Sequence, residues 1–284
     1  MSPSVRGNQF RILPVLIGLV SVAYLLVIVG LPVASIFKEA FAEGWQAFVD
    51  AVKAEDTQHA LWLTIKTCAV VVPLNTIFGL ACAWVLARHR FRGTSTLAAF
   101  VNLPLAIAPT IAGLLIVLVY SPTIGLLHGP VETLELWGAH HFPGYNFKIL
   151  YAFPGIVLST LLVTLPLVAM EVLPSLEQLD PSEAQAARTL GATGWQTFRK
   201  VVLPAIRWSV LYGVVLCTAK AAGEFGSVST TSGRLIGKTN TLTLHIERSY
   251  AEYESTKAYA SSVLLTGLAV FTIILNVWLG RKRA

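Results

Sequence analysis

The stretch that decides the fold is residues 180–204, DPSEAQAARTLGATGWQTFRKVVLP, a polar interval in an otherwise apolar chain. Asp180 is a helix-capping residue, Pro181 fits the first helical position, and Glu183 stands where a capping box places its acidic residue. Alanines with high helix propensity follow, and Gly191 predicts the end of this helix.

A second start signal comes directly after that glycine. Thr193 is a good capping residue, and Gln196 follows three positions later, as in a capping box. Leu203 and Pro204 then open the next apolar run. The pattern predicts two short helices that meet at Gly191 and form a rigid knob between two membrane spans, which is a shape suited to docking. The alternative is an amphipathic loop without a partner.

The composition indicates an integral membrane protein. Of 284 residues, 55% are hydrophobic and 13% are charged, with a mean hydropathy of +0.67, whereas soluble domains carry about 25% charged residues. Because lipid cannot satisfy backbone polar groups, long apolar runs predict membrane-spanning helices. The net charge of +6 is not concentrated on a polar face, so it does not indicate nucleic-acid binding.

Six runs are long enough to span a bilayer, and the fold class is therefore all-α with six transmembrane helices. The runs are residues 12–37, 60–87, 97–120, 149–173, 206–230 and 258–279. The first is too long for a signal-peptide core and is interpreted as a retained span. We divide the single domain into residues 1–56, with a cytoplasmic tail, the first span and the first external loop, and residues 57–284, with the other five spans and the loop 180–204.

The charges assign a side to each loop. Two basic residues precede the first span, three follow the second, four lie between the fourth and fifth, and three end the chain, twelve in all. Ten of the fifteen acidic residues fall in the three loops on the other face. The positive-inside rule then places both termini and the knob in the cytoplasm. The external loop 121–148 is the longest candidate for a surface that contacts a partner, and its role stays open.

No motif indicates a catalytic or metal site. The segment 233–239, GRLIGKT, has three residues between its glycines where a phosphate-binding loop needs four, and no strand precedes it. The three cysteines lie in apolar runs without metal-like spacing. His140 and His141 are interpreted as a solvated pair on a loop.

Three ionisable residues interrupt the spans. Lys66 lies near the outer end of its span, where the ammonium can reach the interface, and a structural role is favoured over a functional one. Lys220 and Glu224 are four residues apart, so they share a helix face and can neutralise each other. Charges in a span usually face protein or water rather than lipid.

The segment after Lys220 replaces bulky residues with glycines and hydroxyls, and two interpretations compete. One is close helix packing through small residues. The other, which we favour, is a water-lined path in which hydroxyls and freed amide groups offer donors to an oxyanion. Two prolines of the third span are assigned to the same cavity. The predicted path residues are Lys220, Gly223, Glu224, Gly226, Ser227, Ser229, Thr230, Pro104 and Pro109.

The knob resembles the EAA loop of ABC importer permeases, the coupling helix that docks on the ATPase subunit. The spacing from Gln185 through Gly191 to Leu203 matches the family pattern, with Gln185 where Glu is usual and Val201 where Ile is common. The resemblance implies a type I ABC importer permease fold with a cytoplasmic coupling helix. The coupling residues it implies are Gln185, Ala186, Ala187, Gly191, Ala192, Trp195, Leu203 and Pro204.

A second set of motifs is similar to the CysW-type sulfate/thiosulfate permeases. It comprises GEFGSVS at 223–229, LGATGWQ at 190–196 and VPLN at 72–75. This resemblance implies a multi-pass subunit of a bacterial inner membrane that imports sulfate or thiosulfate by alternating access. It also implies a paralogous permease as heterodimer partner, two ABC ATPase subunits that use ATP and Mg, and an external sulfate-binding protein. The chain itself is expected to bind no cofactor and to catalyse no reaction.

Several alternatives stay open from the sequence alone. Molybdate and tungstate share the shape and charge of sulfate, and the sequence alone does not decide between a heterodimer, which the resemblance implies, and a homodimer. A membrane-embedded enzyme that uses Glu224 as acid or base, and a passive channel or scaffold whose loop merely packs, are alternatives of a different class. Affinity and resting conformation are not determined by the sequence.

Overall fold

The computed structural model describes residues 9–89, 92–141 and 148–281. Within these ranges the chain forms helices and connecting turns, without a β-strand. The helices are α1 Gln9–Leu25, α2 Leu31–Ala40, α3 Trp45–Lys53, α4 Glu55–Arg88, α5 Thr94–Ala106, α6 Pro109–Tyr120, α7 His128–His141, α8 Phe153–Glu177, α9 Pro181–Thr189, α10 Gly194–Thr197, α11 Leu203–Ala222, α12 Gly226–Thr231, α13 Leu242–Ala251 and α14 Ser255–Arg281, with π-helical turns at Leu26–Gly30 and Phe198–Val202.

The described residues contain four helical stretches long and apolar enough to cross a membrane, or five if a bent pair counts as one span. The four are Pro14–Ala40, Glu55–Arg88, Phe153–Glu177 and Gly194–Ala222. The predicted sixth span corresponds to α14, and several side chains of its last turns are outside the described residues. The all-helical, multi-span class is confirmed, and the count of six stays a prediction.

The predicted third span is divided into two helices. Residues 97–120 are divided between α5 and α6, whose axes differ by 112°. Ala108 has an extended backbone, with φ −58° and ψ 136°, as expected for a residue that precedes a proline. Since Pro109 also lacks an N–H, the helix stops and begins again in a new direction.

The fifth span also ends earlier than predicted. Its helix stops at Ala222, and residues 226–231 form the separate short helix α12. On the other side, the helix begins before Leu203, because α10, a π-helical turn and α11 run on without interruption from Gly194. The second short helix of the knob is therefore the first turn of the fifth span, not an independent element as predicted.

Three connections that the sequence suggested as loops carry helices. α3 lies in the acidic connection 38–58, α7 in the connection 121–148 that was predicted to be external, and α13 between the predicted fifth and sixth spans. His140 and His141 accordingly end a helix rather than lie on a loop, with their ring centroids 5.3 Å apart. Some residues used for the charge pattern lie outside the described ranges, namely Arg6, Arg90, Lys282 and Arg283.

The core is formed where α4, α8 and α11 pack side by side. Gly79 and Gly213 allow the close approach, because a Cβ on either would lie about 3 Å from Val168 of α8. By contrast, α1 is exposed along its described length, and α2 is the part of the first span that packs on α14. The main buried cluster comprises Val72, Ala83, Val168, Val172, Leu176, Val202, Ile206 and Cys217.

Candidate functional site: the knob and the break in the fifth span

The knob begins as the sequence predicts. Asp180 caps α9, with its Oδ1 accepting a hydrogen bond from the Ser182 amide at 2.9 Å, and Pro181 occupies the first turn. Hydrogen bonds from the Ser182 amide and from its side chain hold the pKa of Asp180 below its ordinary value. Gln185 and Ala186 are exposed on this helix. The Asp180 carboxylate also lies at the positive end of the α9 dipole, which favours its negative charge at this position.

The helix ends in a Schellman motif at Gly191. That residue has φ +85°, and its amide donates to the Arg188 carbonyl at 3.0 Å. The Ala192 amide donates to the Ala187 carbonyl, also at 3.0 Å, which completes the two-bond pattern. Leu190, at the tip, is 89% exposed. A large apolar side chain presented in this way is suited to burial against a partner.

The next turn contains the predicted capping box. The Gln196 amide donates to Thr193 Oγ1 at 3.3 Å, and the Thr193 amide donates to Gln196 Oε1 at 2.8 Å. A π-helical turn follows, in which the Leu203 amide donates to the Phe198 carbonyl. Pro204 cannot donate at the next position, which is consistent with the irregular turn before it.

An aromatic stack attaches the knob to the core. Trp195 is 68% exposed, and its ring stacks on Phe198 with centroids 5.7 Å apart. Phe198 in turn meets the edge of Trp84 of α4 at 5.4 Å. Val202 and Ile206 are buried just beyond, so the knob is packed against the core at the adjacent ends of α4 and α11. The predicted coupling residues therefore divide into an exposed surface, which includes Trp195, and a root at Leu203 and Pro204.

At the other end of α11, Glu224 organises the helix break. It is 3% exposed, and its Oε1 accepts hydrogen bonds from both the amide and the hydroxyl of Ser227, each at 3.0 Å. Its Oε2 lies 3.5 Å from Lys220 Nζ, a contact that is an ion pair rather than a hydrogen bond. The Thr243 hydroxyl donates to the Glu224 carbonyl at 2.8 Å, so this residue joins α11, α12 and α13.

The hydroxyl groups of α12 donate their hydrogens within the protein. Ser229 bonds the Gly226 carbonyl and Thr230 the Ser227 carbonyl, each at 2.8 Å. In this conformation these bonds favour the packing interpretation of the segment. The Lys220 side chain differs from these groups because it is 47% exposed, so its positive charge remains accessible. A mostly apolar cavity of about 300 Å³ lies between α11 and α14, lined by Ala219, Ala222, Gly223, Leu265, Thr266, Leu268 and Ala269, and Lys220 does not line it.

The structure brings Pro109 to the break and leaves Pro104 elsewhere. A Cβ on Gly226 would lie 2.8 Å from the Pro109 Cβ, so only glycine allows this approach. Gly113 of α6 is similarly close to the Ser227 carbonyl, at 2.6 Å from its ideal Cβ. Pro104 is buried in α5, on the other side of the bend, and that helix packs on α8.

Two interhelical contacts were not singled out from the sequence. Asn75 is 1% exposed, and its Nδ2 donates to Thr164 Oγ1 at 2.7 Å, which joins α4 to α8. His245 of α13 is equally buried, with Nε2 3.0 Å from Thr57 Oγ1 of α4. A lone Asn in an apolar run was a usable signal for the first contact. The contact of His245 could not be predicted in this way, because His245 lies in a polar connection where one more polar residue does not stand out.

The fold and the knob define a multi-span, all-helical membrane protein with a capped and exposed knob between α8 and α11. Residues 75–284 match the family described as "Binding-protein-dependent transport system inner membrane component", and the chain belongs to this family. It is therefore a transport component and not an enzyme. Among the described residues there is no group of three His, Cys, Asp or Glu side chains able to hold a metal.

The chain is similar to two sulfate permeases in sequence and to one solved transporter structure in fold. The chain is 42% identical over 95% of its length to the sulfate transport system permease protein CysW of Synechocystis, of which it covers 93%. It is 30% identical over 87% of its length to the sulfate transport system permease protein CysT of Escherichia coli, covering 86%. A bacterial ABC transporter involved in alginate import has the same fold, with a TM-score of 0.76 at 16% identity and 96% coverage of both chains.

Proposed function

We propose that this chain is a permease subunit of an ATP-driven importer of sulfate. The observation that carries the proposal is the 42% identity to a sulfate permease over nearly the whole length of both chains. The knob supports it, since a capped helix with an exposed apolar tip is suited to a cleft on an ATPase. Thiosulfate is a second candidate cargo, based on the sequence resemblance.

The proposed assembly pairs this permease with a paralogous one. The chain is similar to two differently named sulfate permeases, at 42% and 30% identity, which supports a heterodimer of related subunits over a homodimer. Two ABC ATPase subunits would contact the knobs from the cytoplasm and use ATP and Mg. An external sulfate-binding protein would deliver the anion to the opposite face.

The proposed mechanism is alternating access. When ATP closes the ATPase pair, residues 180–204 move with it, and the aromatic stack from Trp195 to Trp84 transmits the movement to α4 and α11. The spans then open outward to receive the anion, and ATP hydrolysis restores the inward-facing state. The anion passes the break in the fifth span, where Lys220 offers an accessible positive charge beside the small residues 223–230.

Uptake of labelled sulfate by vesicles that contain the whole complex tests this proposal. We expect uptake that requires both ATP and the binding protein. Sulfate flux without ATP would instead indicate a passive channel. Competition by molybdate, tungstate and thiosulfate decides the cargo, and preferential uptake of molybdate or tungstate would contradict the assignment to sulfate.

A further inference from the structure

The two oxygens of the Glu224 carboxylate have different surroundings. Oε1 accepts hydrogen bonds from the Ser227 amide and hydroxyl, each at 3.0 Å. Oε2 is buried as well, but it accepts no hydrogen bond within the described part of the chain. It lies 3.5 Å from Lys220 Nζ, in an ion pair. One oxygen therefore anchors the side chain, and the other provides only its negative charge.

The helix break between α11 and α12 does not require the charge of Glu224. The carbonyl oxygen of a glutamine could accept both hydrogen bonds from Ser227, because an amide oxygen also has two lone pairs. A buried carboxylate oxygen without a hydrogen bond is unfavourable, so a neutral side chain would form the break at a smaller cost in free energy. The negative charge therefore has another role, and Lys220 is the group on which it acts.

The two partners of this ion pair differ in their freedom to move. Glu224 is held at Oε1 and also at its carbonyl, to which the Thr243 hydroxyl donates at 2.8 Å. Its side chain is 1% exposed, whereas that of Lys220 is 47% exposed and has a flexible stem with three N–H donors. The separation of 3.5 Å exceeds the length of a charge-assisted hydrogen bond, about 2.7–2.9 Å. Lys220 can therefore turn away without breaking a hydrogen bond to Glu224.

An anion that contacts Lys220 interacts with both charges of the pair. A divalent oxyanion is attracted by the ammonium and repelled by the fixed carboxylate behind it. Salt screens this repulsion only weakly, because Glu224 is buried. A site on a transport path must bind its ion strongly enough for entry and weakly enough for release. A lysine with a carboxylate fixed beside it has this property, while a lysine alone would hold a dianion more tightly.

We infer that Glu224 is a positioning residue for transport, which competes with the passing anion for Lys220 and so keeps the anion from being held too tightly. The inference rests on the proposed function and assigns a role within it to one buried charge. When a tetrahedral dianion reaches the break, Lys220 turns from Glu224 to an oxygen of the anion. The carboxylate stays on Ser227, and its repulsion favours release of the anion and the return of Lys220.

Binding of radiolabelled sulfate to the complete permease–ATPase complex in nanodiscs, measured without the external binding protein, tests this inference. Glu224→Gln keeps an oxygen for Ser227 and removes only the charge. We expect the half-saturating sulfate concentration to fall about tenfold relative to the wild type, because one repulsive charge near the anion is lost. The maximal rate of ATP-dependent uptake should fall in the same variant, since the anion leaves more slowly.

Two further variants serve as controls for the binding measurement. Glu247→Gln removes a carboxylate from the exposed ion pair with Arg234 and should leave sulfate binding and uptake unchanged. Glu224→Gln combined with Lys220→Ala should lose the gain in sulfate binding, because the cation that holds the anion is gone. Together these variants separate the charge of Glu224 from a general effect of removing a carboxylate.

Lys220→Arg is a second test, which decides the question if Glu224→Gln does not assemble. A guanidinium can donate hydrogen bonds to Oε2 and remain with Glu224, so we expect weaker sulfate binding than in the wild type. Unchanged sulfate binding by Glu224→Gln, or tighter binding by Lys220→Arg, would overturn the inference and leave Glu224 with a structural role. Failure of the proposed function would instead appear in the wild type, as an absence of ATP-dependent sulfate uptake.

Discussion

At Gly191 the backbone requires a residue that tolerates a left-handed conformation. Its φ of +85° completes the Schellman motif, and no atom lies within 4 Å of the position that a Cβ would occupy. A substitution here therefore acts through backbone conformation and not through a steric clash. That property makes the residue a specific test of whether the shape of the knob matters for transport.

Gly191→Val should reduce ATP-dependent sulfate uptake about tenfold while the protein remains in the membrane, because a left-handed backbone costs an L-residue about 1–2 kcal/mol. Gly191→Asn is the matched control, since Asn accepts this conformation, and it should retain more activity than Val. Vesicle uptake at equal expression is the measurement. Normal uptake with Val would show that the turn is not needed for coupling.

Lys220 and Lys66 provide a second comparison at this scale. Lys220→Ala removes the cation beside the buried Glu224 carboxylate and should lower uptake several-fold. Lys66→Ala should have little effect, because that side chain is exposed and its Nζ lies 5.4 Å from the centroid of the Trp62 ring. Lys220→Ala combined with Glu224→Gln should recover part of the loss if uncompensated charge is the cause. Equal and negligible effects of both single changes would favour the interpretation that the segment after Lys220 serves helix packing and not an anion path.

The residue-scale features that the sequence predicted are local ones. The caps at Asp180 and Thr193 and the stop at Gly191 depend on neighbours within a few positions, and the structure confirms each. The partners of Glu224 were predicted only in part. Its pairing with Lys220 follows from helix periodicity, whereas its bonds to Ser227 require a break in the helix that periodicity does not indicate.

Among the helices, Asn75 holds α4 against α8 through a bond in the apolar core. Asn75→Val should lower the thermal stability by about 1 kcal/mol, because a buried hydrogen bond between membrane helices is lost. Thr76→Val is the control, since the Thr76 hydroxyl bonds only the Val72 carbonyl of its own helix. Thermal unfolding in detergent compares them. An unfolding temperature for Asn75→Val equal to that of the control would show that the Asn75 hydrogen bond does not stabilise the contact between α4 and α8.

The buried His245 joins α13 to α4 through its contact with Thr57. Burial is the main cause that holds its pKa below the ordinary 6.5, with Lys257 and Arg248 acting in the same direction and Asp56 and Glu254 opposing it. Since the unfolded chain binds this proton more tightly, the contribution to stability is complete above pH 6.5 and is lost as the pH falls.

We therefore expect the wild type to lose thermal stability between about pH 7.5 and 5.5, with a smaller loss for His245→Gln. Unfolding temperatures measured across this range provide the test. His128→Gln is a control, because that histidine lies on the exposed side of α7. Identical pH dependence of the wild type and His245→Gln would show that this histidine does not contribute.

At the scale of elements, the sequence predicted where the apolar runs lie but not how they bend. The runs around 60–87 and 149–173 became single helices because they have no interruption strong enough to stop them. The prolines within α4 and α8 are accommodated in continuous helices, while Pro109 ends one. The sequence does not indicate which of these prolines ends a helix, because each of them lies in an apolar run.

For the whole molecule, the charge distribution predicts one topology, in which the knob and both termini lie in the cytoplasm. Composition was sufficient to predict the membrane class, and the motif spacing to predict the family, because both are properties of long stretches. The short helices α3, α7 and α13 were not predicted. They are short and partly polar, so their pattern resembles that of loops.

The central claim is that an ATPase subunit contacts the knob. A cysteine introduced by Leu190→Cys, at the 89% exposed tip, should cross-link to the ATPase subunit in the assembled complex. Tyr253→Cys is the control, because position 253 is 92% exposed in the predicted external connection before α14. This cysteine should form no cross-link to the ATPase, and an impermeant thiol reagent should label it only when added from outside. Labelling of position 190 from the outside, with no cross-link to an ATPase, would contradict it.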